Sequence, residues 1–114
     1  MHFDFDFAME PSPRLVARTL VRVDAMCTEA LETLRAALAV ADGSGVTVVL
    51  ADVQAVFAQI DAAHAEMRAA RACSDLRDAQ MHADLAHGLA RDSLAEARRR
   101  ARSARAASSF DAMS

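Results

Sequence analysis

From Val16 onward, apolar residues recur at alternating spacings of four and three: Val16, Leu20, Val23, Cys27, Ala30, Leu34, Ala37 and Ala41. Such a series lines one face of a helix and lies close to a heptad repeat. Leu31 and Leu38 widen the stripe, while Arg22, Glu29, Glu32 and Arg35 fall largely off it. Ser12-Pro13 supplies the start, because a serine cap accepts from an early backbone N–H and proline at the first helical position has no N–H to lose. Asp42-Gly43-Ser44-Gly45 supplies the stop, glycine being free to adopt the left-handed conformation that ends many helices. A first helix is expected over 13–41.

Val46-Thr47-Val48-Val49-Leu50 has the local look of a strand. The stripe Val49, Val53, Val56, Ile60, Ala63, Met67 nevertheless runs straight out of it at helical spacing, so it is read as the opening of a second helix. The pattern persists to about Ala107, but beyond Ile60 its inward positions turn to alanine: Leu76, Ala79, Ala83, Ala86, Ala90, Leu94, Ala97, Ala101 and Ala104. A break is expected near Gly88, since glycine costs about 1 kcal/mol against alanine inside a helix. The capping-box pattern Ser93-Leu94-Ala95-Glu96 follows it. Ser74-Asp75 is a second weak point. Two arrangements fit: three helices over 13–41, 46–87 and 93–107, or a hairpin with one long second arm.

The fold class is therefore all-α, an antiparallel helical hairpin or three-helix bundle with a long second helix. Residues 12–107 form a single helical domain, 1–11 a flexible or strand-like N-terminal segment, and 108–114 a disordered tail. A core built on alanine gains little, each buried methylene contributing only about 0.8 kcal/mol. A hairpin would leave one flank of each helix uncovered. Dimerisation, or binding of another protein along the alanine-rich face, is expected to complete the bundle.

Composition narrows the class further. Of 114 residues, 28 are alanine, while glycine and proline together number only five. That excludes collagen-like and Pro/Gly-rich disordered chains and disfavours a many-turned β-architecture. The longest uncharged stretch, Gly43–Ala51, is far short of the roughly 20 apolar residues a membrane span needs. The start has neither the basic region nor the apolar run of a secretory signal. Cys27 and Cys73 are too few and too far apart for a disulfide framework or a zinc site, so a reduced, cytoplasmic setting is expected. All thirteen basic residues are arginine. This points to a GC-rich genome, that of a bacterium or its phage.

Two features stand out as partner-binding candidates. Phe3, Phe5 and Phe7 alternate with Asp4 and Asp6, so in an extended strand the rings face one side and the carboxylates the other. Such a segment can add to a partner's sheet edge, fill a groove with its rings, or pack on its own bundle. The second feature is a split in charge. Residues 91–114 hold six arginines against three acids, a net of +3, whereas residues 1–90 carry a net of −6. Arg91, Arg98, Arg102 and Arg105 fall on one helical face, which suits a solvated stripe, an acidic protein, the acidic part of a second copy, or phosphates.

Catalytic and metal chemistry find less. Asp61-x-x-His64 and Asp84-x-x-His87 each set a carboxylate and an imidazole three apart, as in half of a di-iron bundle site. The two pairs would lie about 35 Å apart on one continuous helix, and no matching carboxylate occupies the first helix's stripe. His82 and His87 are poorly spaced to chelate. These residues are read as surface polar pairs, with no metal and no cofactor. No Gly-x-Ser-x-Gly elbow, phosphate-binding glycine loop or His-Glu-x-x-His is present, and Cys27 on the apolar stripe is expected to pack as a small hydrophobe. The overall profile is one common among secretion-system chaperones, phage accessory proteins and bacterial adaptors. It is compositional and transfers no residue roles. The expected function is a non-enzymatic helical interaction protein, with a small nucleic-acid-associated protein as the alternative.

Overall fold

In the computed structural model of the protein, residues 11–44 and 50–113 are described, with side chains over 11–40 and 53–107. Three helices follow in order: α1 (Pro13–Ser44), α2 (Leu50–Ala72) and α3 (Leu76–Met113). The chain is all-α, and no strand occurs among the described residues. None of the helices is long and apolar enough to cross a membrane. Phe3, Phe5 and Phe7, the 45–49 link and the side chain of Ala41 lie outside the described residues.

α1 begins as its sequence dictates. Ser12 Oγ accepts from the Leu15 N–H at 3.1 Å, and Val16 N–H closes the first turn on the Ser12 carbonyl at 3.0 Å. The helix runs to Ser44, slightly past the expected end at 41.

The long helical stretch divides at the weaker of the two expected points. α2 ends at Ala72, where the Cys73 N–H donates back to the Ala69 and Ala70 carbonyls. Asp75 then caps α3: its Oδ1 accepts from the Arg77 N–H at 2.8 Å, and its carbonyl from Ala79 N–H at 2.9 Å. Asp78 in the first turn adds a favourable charge at the positive end of the helix. The expected break near Gly88 does not occur. Gly88 lies inside α3, and a Cβ there would meet nothing within 4 Å. Ser93 is not a cap either. It is fully buried, and its Oγ donates to the Ala90 carbonyl at 2.7 Å, the backbone bond of a mid-helix serine. α3 continues to Met113, through residues expected to be a disordered tail.

The helices run up, down and up, with α3 as the shared member. Thr19 meets Gln80, Glu29 meets Arg98 and Ala37 meets Ala101 and Ala104, so α1 and α3 are parallel. Glu66 meets His82 across the short turn at 73–75, so α2 is antiparallel to both. Both α1 and α2 lie close along α3 while barely approaching one another.

Side-chain volume explains this. α3 turns Ala79, Ala83, Ala86, Ala90, Ala97, Ala101 and Ala104 inward, each at most 4% exposed. With methyl groups at the contact, helix axes can close toward about 8 Å rather than 10 Å. The larger Val23, Leu34, Val56, Ile60 and Met67 of α1 and α2 share one core with these alanines, and bulkier contacts leave helices farther apart. The heptad spacing is unbroken in α1 and α2. In α3 two four-residue steps follow one another, Ala86 to Ala90 to Leu94, with Ser93 buried beside them, and this locally relaxes the supercoil. The alanine face expected to await a partner is thus covered by the chain's own α1 and α2.

Candidate functional surface

The arginine stripe is a feature of α3's outward side. Arg91 and Arg98 are about two-thirds and half exposed, and Arg102 and Arg105 are exposed as well. Arg98 pairs with Glu29 of α1 and so ties two helices together. Arg91 has only a 4.0 Å approach to its neighbour Asp92. Arg102 and Arg105 form no ion pair among the described residues. The four guanidinium groups extend along about 21 Å of helix at 1.5 Å per residue. Between them, Arg99 and Arg100 both reach Glu96, Arg100 at 2.7 Å. The hydrogen bond from Arg99, with the Arg100 charge behind it, holds the Glu96 carboxyl below the usual carboxylate range. Two of the six C-terminal arginines are therefore engaged within their own helix, and Arg98 across to α1.

His82 and the two cysteines do structural work. His82 Nδ1 lies 2.8 Å from Glu66 Oε2, a bond between α3 and α2 nearly two turns above the α2–α3 connection. Asp84 accepts from Gln80 Nε2 at 2.8 Å rather than joining His87. No group of three His, Cys, Asp or Glu side chains gathers among the described residues in a way that could hold a metal ion. Cys27 is buried in the core, where desolvation, with the Asp24 charge adding to it, pushes its thiol pKa up and away from nucleophilic use. Cys73 is partly buried against the same core.

One surface was missed in reading the sequence. At the N-terminal end of α3, Met81 and Leu85 are half exposed, one turn apart, on the side away from the alanine face. With Pro11, Arg77, Gln80 and Asp84 they line an open groove of about 510 Å³. The signal was available: in a helix whose inward positions are alanine, a methionine and a leucine four apart and off the stripe are misplaced for a core. Compared with known proteins, the chain matches no family model, no curated protein and no solved structure.

Proposed function

We propose that the protein is a non-enzymatic helical interaction protein, an adaptor, chaperone or phage or secretion-system accessory of the bacterial cytoplasm, acting by protein–protein binding. The observation that carries this reading is the outward stripe Arg91, Arg98, Arg102, Arg105, of which, among the described residues, Arg98 alone is paired with another helix. Guanidinium groups make directional, charge-assisted hydrogen bonds to carboxylates, so the stripe fits an acidic protein face. Because residues 1–90 carry a net of −6, a second copy is one such acidic surface.

The test is a tagged full-length chain beside an Arg91→Ala/Arg102→Ala/Arg105→Ala variant that keeps Arg98 and its Glu29 pair. Size-exclusion chromatography with light scattering, followed by capture at moderate salt, should show the wild type holding a protein or a second copy. The variant should lose it with an unchanged circular-dichroism spectrum. Equal retention by both chains overturns the stripe as the binding surface.

A nucleic-acid partner is the second reading, favoured by the same row of guanidinium groups and the local net of +3. Without tryptophan or tyrosine, the chain absorbs little in the near ultraviolet. Strong nucleic-acid absorbance in its peak, stripped by salt with a log–log slope of about −0.9 per duplex phosphate contacted, would move the assignment there.

A further inference from the structure

We propose that the groove on α3 around Met81 and Leu85 is the docking site of the chain's own N-terminal segment, with the rings of Phe3, Phe5 and Phe7 seated on the two apolar side chains. This stands independently of what the arginine stripe binds. Pro11 is itself part of the groove wall, so the preceding chain starts from the site it would occupy. Ten residues precede Pro11, and an extended segment spans about 3.3 Å per residue, enough to cross the one-turn separation of Met81 and Leu85 several times over.

Alternation in a strand puts the three rings on one side, toward Met81 and Leu85, and Asp4 and Asp6 on the other, toward solvent. Gln80, also on the wall, spends its Nε2 on Asp84 and Thr19, while its Oε1 is buried with no donor. An unpaired buried acceptor is unfavourable, so the site favours a peptide, which can offer a backbone N–H, over a purely apolar occupant. Tethering makes the encounter intramolecular, which raises the effective concentration to the millimolar range and lets a short segment suffice.

The experiment is methyl NMR on the full-length chain labelled at methionine, with the Met81 resonance assigned from Met81→Leu. The expected result is a nuclear Overhauser contact from the Met81 methyl to phenylalanine ring protons, with an upfield shift. Both are lost in a Phe3→Ser/Phe5→Ser/Phe7→Ser variant whose circular dichroism is unchanged. A Met81→Asp/Leu85→Asp variant, altered only at exposed positions, should be cleaved by chymotrypsin at the N-terminal phenylalanines at least tenfold faster than wild type. A Met81 methyl without aromatic contacts, or cleavage at the same rate in both chains, overturns the proposal. Contacts seen only between differently labelled chains in a mixed sample also overturn it and assign the groove to a second copy.

Discussion

The lower part of the bundle and its upper end follow the same heptad rule and are built to different strength. Below, α1 and α2 press Val16, Leu20, Val23, Leu34, Val56, Ile60 and Met67 around the alanines of α3 in one continuous core. Above, among the described residues, α1 and α3 meet through Ala37, Ala101 and Ala104, with Val40 beside them. Periodicity decides which face turns inward; side-chain volume and the number of helices decide how firmly it is held. Among the described residues the upper end buries little more than methyl groups, so it should open before the rest. Arg102 and Arg105 sit on that end.

The largest effect should come from Leu34→Ala, since Leu34 is 1% exposed in the three-helix core. A loss of about 2–5 kcal/mol is expected from urea unfolding followed by circular dichroism. Next, Ala86→Leu forces extra volume against two helices and should cost about 1–3 kcal/mol, more than the same change at Ala104, which among the described residues faces α1. Equal costs at the two alanines would erase the distinction between the regions. Gly88→Ala should raise stability by about 0.4–1 kcal/mol, because the added Cβ meets nothing and the helix is continuous there. A destabilised Gly88→Ala chain would mean the lower region has a bend that α3 does not show.

The smallest effect concerns the junction of the two regions. Glu96→Gln removes the carboxylate shared by Arg99 and Arg100, an exposed cluster contributing about 0.3–0.5 kcal/mol. The folded-state pKa of Glu96 is lowered, so this contribution is present above the unfolded value of about 4.3 and is lost as pH falls through the depressed one. Wild type and Glu96→Gln should therefore differ near neutrality and converge in acid.

Much of this architecture was legible in the sequence. The stripes from Val16 to Ala37, Val53 to Met67 and Ala79 to Ala104 are the buried faces, and Ser12-Pro13 is the start of α1. What misled was local chemistry judged without its neighbours. Gly88 weakens an isolated helix, but α3 is propped on two sides and carries the cost. Ser93-x-x-Glu96 has the letters of a capping box, yet a serine inside a helix can bond its own preceding turn instead. The alanine face also announced that something covers it without saying what, because methyl groups accept any close-fitting helix. Of the surface features, the arginine stripe was readable from spacing alone. The spacing of Met81 and Leu85 carried a signal too, but not the groove itself, since a groove depends on what stands beside two side chains as well as on the side chains themselves.

The alanine spine has a consequence for how this fold can diverge. At Ala83, Ala86, Ala90 and Ala97 the side chain is fully enclosed, so what selection can enforce there is a ceiling on size rather than a particular identity. Glycine and serine pass under that ceiling, and Ser93 already does. Distant copies of this bundle would therefore be recognised by a rhythm of small residues along the last helix, four and three apart, while the letters around it drift.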